Sequence, residues 1–297
     1  MTNDLRKYWR SLKQSFRSSI WLGWQLESNW TDWHLFVIYV LLKPLTSSML
    51  LVGMYYAAQA VPNSRVPVQF LPYMYISNIC YGLVGAVMFG MSYAVISDRE
   101  HYRMLKYIFI SPIHFPMYFI GRALSGAGQA VLGGIINLAV GLLAFKEVRS
   151  ALIGHSIPWF HLAVDLILGI AILLALGLIL SAAMFNISRQ GMYLSEGISG
   201  LLYLIGGVVF PISILPIWLQ YISICLPTTL WLEAIRRSLM PKAEGIFISP
   251  LSSVDSWTLT GLLFIGILFL WLVAYYFFRW SVRKAWQNGK MEETTGN

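Results

Sequence analysis

The chain has 297 residues, 57% of them hydrophobic and only 11% charged, with a formal net charge of +8. A water-soluble domain carries roughly 25% charged residues, so this composition excludes one and predicts a polytopic all-α membrane protein. The excess of positive charge does not mark a nucleic-acid binder, because the basic residues gather at the ends of apolar runs, where inner-side bias puts them.

The first element is basic and periodic. Residues 4–26 carry Arg6, Lys7, Arg10, Lys13 and Arg17, while Leu5, Trp9, Leu12, Phe16 and Ile20 recur at helical spacing. This predicts an amphipathic helix lying in the inner interface, with Trp21 and Trp24 as anchors; a soluble basic tail is the other reading. No short apolar core followed by a small-residue cleavage site is visible, so no cleavable leader is expected. Residues 1–34 are assigned to this cytoplasmic segment, 35–278 to a six-span domain, and 279–297 to a cytoplasmic tail.

Six apolar runs follow, each close to the ~20 residues that cross a bilayer. The first, about 35–60, contains Pro44, which predicts a kink. The second covers 71–96, with Gly82, Ala86 and Gly90 as a small-residue stripe. The third covers 116–144, with Gly126, Ala130 and Gly134 as another; such stripes let helix backbones approach closely. The fourth covers 158–185, the fifth 192–210 and the last 257–278. Between the fifth and the last, Pro211, Pro216 and Pro227 break an apolar stretch into pieces too short to cross. The segment 211–240 is therefore expected to dip into the membrane from the outer side. It ends in an amphipathic helix where Glu233 pairs with Arg236 or Arg237, a contact worth a few tenths of a kcal/mol on a surface helix.

Between spans two and three lies a charged island, SDREHYRMLKYIFISPIHFP, residues 97–116. Ser97 with Glu100 three residues on reads as a capping box that starts a helix. Arg99, Arg103 and Lys106 fall on one stripe, Tyr102, Leu105 and Phe109 on another, and Pro112 ends the helix at about 112. Two roles fit: passing a push from a soluble partner into the membrane, or binding lipid headgroups. With the N-terminus inside, the inner segments hold thirteen Lys and Arg and the outer segments six, with Arg65, Lys146, Arg149 and Lys242 among the outer ones. Both termini and the island are thus expected in the cytoplasm.

No catalytic set is visible. There is no GxxxxGK phosphate loop, no HExxH and no GxSxG. The five histidines, including His155, are scattered, and Cys80 and Cys225 show neither metal spacing nor an evident disulfide framework. Ionisable residues inside spans are few. Arg122, Asp165 and Glu196 each lie within reach of an interface, which favours snorkelling or a structural pair. No row of carboxylates crosses the midplane, which argues against a proton- or sodium-coupled pump.

Two passages, SDREHYRMLKYIFISPIHFPMYFIGR (97–122) and GVVFPISILPIWLQYISICLPTTLWLEAIRRSL (207–239), resemble the membrane subunit of ABC-2 type exporters. The first is similar to that family's charged cytosolic passage ending in Ser-Pro, although His101 and Tyr102 stand where the family often has small residues. The second is similar to its Pro-interrupted outer passage ending in Glu-Ala-x-Arg. The likeness covers nearly the whole chain. It implies that this chain is not itself an enzyme and binds no cofactor, while a separate cytosolic ABC ATPase binds ATP and Mg. It implies an ATPase-coupling helix with Asp98, Arg99, Glu100, Arg103, Leu105 and Lys106. It implies an outer gate with Phe210, Pro211, Pro216, Trp218, Pro227 and Glu233. A second permease subunit, identical or different, would complete the pathway in the plasma membrane, with lipids as the other neighbours. Aromatic walls, with Tyr81, Phe89 and Tyr203 as pathway lining, suit an amphipathic, drug-like or lipid-linked substrate; packing between helices is the plainer role for those rings. A polysaccharide or glycolipid exporter of the same family, and a channel or membrane scaffold outside it, are the alternatives.

Overall fold

In lipid each backbone amide must find its partner within the segment, and helices do this locally. The computed structural model describes residues 2–28, 32–63, 66–153, 156–187, 190–240, 251 and 253–290, and among these every regular element is a helix. Arg65, His155, Arg189 and Lys242 lie outside the described residues. In chain order the helices are α1 (Thr2–Ser28), α2 (Trp33–Gln59), α3 (Phe70–Val84), α4 (Gly90–Glu100), α5 (Leu105–Ile110) and α6 (Phe115–Ala144). Then come α7 (Lys146–Leu152), α8 (Trp159–Asn186), α9 (Gly191–Ile205), α10 (Ile217–Cys225), α11 (Pro227–Leu239) and α12 (Ser256–Gln287). A π-helical turn, Gly85–Phe89, joins α3 to α4, so Phe70–Glu100 is one continuous rod.

Five helices are long and apolar enough to cross a membrane: Val40–Gln59, Phe70–Glu100, Phe115–Ala144, Trp159–Asn186 and Ser256–Gln287. The chain is a multi-pass helical membrane protein. The fifth expected span differs. Its helix, α9, has 15 residues, about 22 Å of rise against a hydrocarbon core of about 30 Å. Gly206 and Gly207 end it, Gly207 with φ of +73°, a left-handed conformation in which a side chain would be strained.

The long helices pack through small residues and buried polar contacts. A Cβ on Gly126 would lie 3.1 Å from the Ala86 carbonyl oxygen, and one on Gly134 the same distance from Ile79 Cγ2, so the α6 stripe faces span two. Gly82 faces open space. On α2, Pro44 lacks the N–H that the Val40 carbonyl would accept. Gly133 of α6 fits against that carbonyl, where a Cβ would come within 2.9 Å. Asn137 of α6 donates to the Pro44 carbonyl (3.1 Å) and to Ser48 Oγ (2.8 Å), and it accepts from Tyr75 OH (2.7 Å).

Helices α8 and α12 run parallel. At one end the rings of His161 and Trp257 are 4.7 Å apart and Thr260 Oγ1 donates to Asp165 Oδ1 (2.9 Å); at the other, Phe185 meets Phe278 and Asn186 donates to Ser281. The chain between them therefore returns along the bundle. On the way α9 runs antiparallel to span two. Ser195 meets Ser92 (3.1 Å), Ser199 meets Tyr81 (2.6 Å), Tyr203 meets Asn78 (3.0 Å), and the Gly207 carbonyl accepts from Tyr73 OH (2.9 Å).

The charged island differs from its expected form. Ser97 and Glu100 do not start a helix: they are the last turn of α4, and Ser97 O accepts from the amides of His101 and Tyr102. The physical reason is that extending an existing helix costs far less than nucleating a new one. The rod ends in a tight turn closed by Met104 N to Asp98 O (2.8 Å), with Arg103 at φ of +50°. Only α5, six residues long, follows. The single helix expected over 97–112 is thus three pieces, and Arg99, Arg103 and Lys106 do not share a helical stripe.

Candidate functional site

Two buried polar centres lie at opposite ends of the bundle, and each involves one of the passages singled out in the sequence. The first is at the end of span two. Asp98 is fully buried. Arg122 Nη1 of α6 contacts Asp98 Oδ1 at 2.5 Å, Tyr118 OH donates to Asp98 Oδ2 (2.9 Å), and Arg122 also reaches Tyr118 OH (3.2 Å). Arg99 is equally enclosed. It donates to the carbonyls of Met184, in the last turn of α8, and of Ile187, just past its end (3.0 Å each), where carbonyls run out of intrahelical i+4 donors. Lys290 donates to a third, that of Asn186 (2.6 Å). Cations here also oppose the negative end of the α8 dipole.

Several residues expected to meet an ATPase are therefore turned inward. Asp98 and Arg99 hold α6 and α8 in place. Leu105 is 1% exposed and belongs to the core, not to an outer apolar stripe. The surface at this end is made by Arg103 and Lys106 with Tyr107 (67% exposed) and Ile110 (63% exposed), and Glu100 is half-buried beside Arg99. The turn that follows Asp98 and Arg99 thus sits directly on two buried anchors. Among the described residues, Arg122 has its partner in Asp98, a pairing that sequence spacing does not reveal.

The second centre is α11. It begins at Pro227, whose missing N–H is no loss at a first helical position. Trp231 is buried and its Nε1 donates to the Asp165 carbonyl (3.0 Å), with the indole filling the space where Gly169 of α8 has no side chain. Glu233 takes Arg236 at 2.8 Å and Arg237 at 3.4 Å. Arg236 also donates to Ser77 Oγ (3.0 Å) and the Gly207 carbonyl (2.8 Å), and lies 4.5 Å over the Tyr73 ring. Arg237 donates to the carbonyls of Leu251 (2.6 Å) and Val254 (2.5 Å). Burial alone pushes the Glu233 carboxyl up, but the two guanidinium groups outweigh it and hold the carboxyl below its ordinary value.

The Glu233 contact is thus not the surface pair that the amphipathic pattern implied. It is buried and bridges α11 to α3, to the turn after α9 and to the segment before α12. Of the other outer residues, Pro211 is buried and Phe210 half-buried, whereas Pro216 and Trp218 (63% exposed) face outward from the start of α10.

The ionisable residues within spans sort as follows. Asp165 is fully buried, 3.2 Å from His161 Nε2 and bonded by Thr260; Glu196 is exposed on α9. Tyr81 and Tyr203 meet edge to face at 4.9 Å between span two and α9, and each hydroxyl is engaged across that contact. Phe89 is half-buried and closes the π-helical turn. Two features had readable signals that hydropathy alone passes over. One is the Ser15, Ser19, Gly23 stripe of α1, which seats on Gly121 and Arg122 of α6. The other is the in-span Asn78 and Asn137, each carrying a side-chain amide that a span must satisfy internally.

No protein-family model matches this sequence, and no curated protein matches it either.

Proposed function

We propose that the chain is the membrane-spanning permease subunit of an ATP-driven exporter of the ABC-2 type, moving an amphipathic, drug-like or lipid-linked substrate outward. A separate cytosolic ATPase supplies the energy and a second permease subunit completes the pathway. The observation that carries this reading is the placement of the two resembling passages. Residues 97–122 close one end of the bundle and 207–239 the other, with span two anchored in both through Asp98 and Ser77. A transporter driven from inside and opened outside needs such a rod.

The sixth crossing belongs to the same proposal. Since α8 and α12 are parallel, α9 with the segment after it makes the return, and α10 and α11 remain at the outer end as the re-entrant gate. Both termini and α5 then lie in the cytoplasm, in keeping with the thirteen-to-six bias of basic residues. The ATPase contact falls on Arg103, Lys106, Tyr107 and Ile110.

The test is purification of the tagged chain from its native membrane. The expected result is a complex with a polypeptide carrying GxxxxGK, whose ATP hydrolysis responds to this subunit. Cysteines at Ser150 and Ser213 should label from outside intact cells, and one at Arg103 only after permeabilisation. A purified complex without ATPase activity, or outside labelling at Arg103, overturns the reading.

A further inference from the structure

We infer that α1 carries a binding surface for anionic phospholipid headgroups, built as a straight line of cations on the side turned away from the protein. Arg6, Arg10, Lys13 and Arg17 are spaced i, i+4, i+7 and i+11. At about 100° per residue these four fall within a sector of about 60°. All four are exposed. The opposite side is the one that packs. Ser15, Ser19 and Gly23 are buried; Ser19 lies against Gly121, and a Cβ on Gly23 would lie 3.0 Å from Arg122 Cα. Tyr8 fixes the N-terminal half by meeting the His114 ring edge to face at 5.1 Å.

Two observations select the occupant, and a third ties its seat to the rest of the fold. The line of cations has no internal counter-charge: residues 6–26 contain no Asp or Glu, and none of the ion pairs among the described residues takes in these four side chains. Like charges at i, i+4 repel along a helix, so Arg6 with Arg10 and Lys13 with Arg17 call for an anionic partner. Second, Trp24 continues the same angular line and Trp21 lies beside it, both exposed. Cations in the first turns and indoles in the last turns of one face match the descent from charged headgroups to the interfacial belt. Cations alone would also suit an acidic protein surface or a nucleic acid; the indoles that continue the line on a membrane protein favour the lipid interface. Third, the packed side of this helix touches the backbone of Arg122, whose guanidinium holds Asp98. Seating of α1 on charged lipid is thereby tied to the anchor beneath the α4–α5 turn. The inference needs only that the chain is a membrane protein, not that it is an exporter.

The test uses the full chain in lipid nanodiscs. A thiol-reactive fluorophore is attached to a Gln14→Cys variant in a Cys225→Ser background, since Gln14 is exposed beside the line of cations and Cys80 is buried. Quenching is measured with about 10 mol % nitroxide-labelled phosphatidylglycerol, then with the same label on phosphatidylcholine, in a phosphatidylcholine host. The expected result is stronger quenching by phosphatidylglycerol, a local enrichment of about fivefold for each cation fully engaged, reduced at high salt. Changing Arg6, Arg10, Lys13 and Arg17 together to Gln should bring the ratio to one. Changing the three arginines to Lys, which keeps the charge, should retain the preference. Equal quenching by the two lipids, a preference that survives the Gln variant, or no quenching by either because protein or nucleic acid covers the helix would each overturn the inference.

Discussion

The Asp98–Arg122 pair gives the sharpest test of how span two is held. Arg122→Met leaves a fully buried carboxylate facing a thioether and the single hydroxyl of Tyr118. Removing one partner of a buried, hydrogen-bonded pair costs about 3–5 kcal/mol, whereas replacing both by groups of similar shape is often close to neutral. Asp98→Asn alone leaves the guanidinium without its counter-charge and should cost a similar amount. The double variant Asp98→Asn/Arg122→Met should recover most of the loss. Tyr118→Phe, which removes one hydrogen bond to the carboxylate, should cost about 1.5–3 kcal/mol. The assay is the midpoint of thermal loss of monodisperse protein in detergent, followed by size exclusion. At roughly 2 °C per kcal/mol for a chain of this size, the single variants should fall by about 6–10 °C and the double variant by much less. Losses in the double variant equal to the sum of the singles would show that the two side chains do not act on each other, and the anchor at this end would have to be assigned elsewhere.

Three further outcomes are expected. Gly134→Leu should weaken the folded bundle because Ile79 already meets that position, whereas Gly82→Leu, facing open space, should leave the melting midpoint unchanged; equal effects would mean that α6 does not pack on span two through this stripe. Leu105→Asp should lose folded protein, because Leu105 is core, while Tyr107→Asp and Ile110→Asp should leave folding intact and lower the ATPase response of the complex; the reverse pattern would move the docking surface off α5. Glu233 is held below its ordinary value of 4.5 in the folded chain, so its stabilisation is complete above that value and is lost as pH falls through the lowered one. Glu233→Gln should therefore melt earlier than the parent at pH 7, with the gap closing toward pH 3; a gap that stays constant would mean that the carboxylate does not bear the contact.

Much of the helical outline was readable because a membrane leaves few choices. The runs at 116–144 and 158–185 became α6 and α8 with ends moved by one residue, since run length fixes where lipid stops. Helix ends governed by tertiary contact were not readable. Ser97 and Glu100 carry the spacing of a helix start, but the rod arriving from span two runs through them. The end of α9 had a signal in Gly206 and Gly207 that an apolar average conceals. The charge on α11 gave the opposite of its true placement. Glu233, Arg236 and Arg237 look like a water-facing stripe, yet all three are buried, and the two arginines are satisfied by neighbours that only the folded chain supplies: Ser77, Gly207, Leu251 and Val254. Asp98 and Arg122 lie 24 positions apart across a turn, and nothing local couples them.

The π-helical turn at Gly85–Phe89 gives span two a property that a plain helix lacks. A π turn takes in one residue more than the α geometry around it, so the two halves of the rod are out of phase by about 100° relative to an uninterrupted α-helix. Tyr73 and Ser77 are set on one side of this offset, and Asp98 and Arg99 on the other. The position of the extra residue along the rod thus sets how the anchors at one end are aimed relative to those at the other. The turn is packed where it stands: Val87 and Met88 are buried, and a Cβ on Gly126 of α6 would lie 3.1 Å from the Ala86 carbonyl oxygen. Span two is in this sense a shaft whose two ends are keyed at a set offset, each aimed at its own anchors.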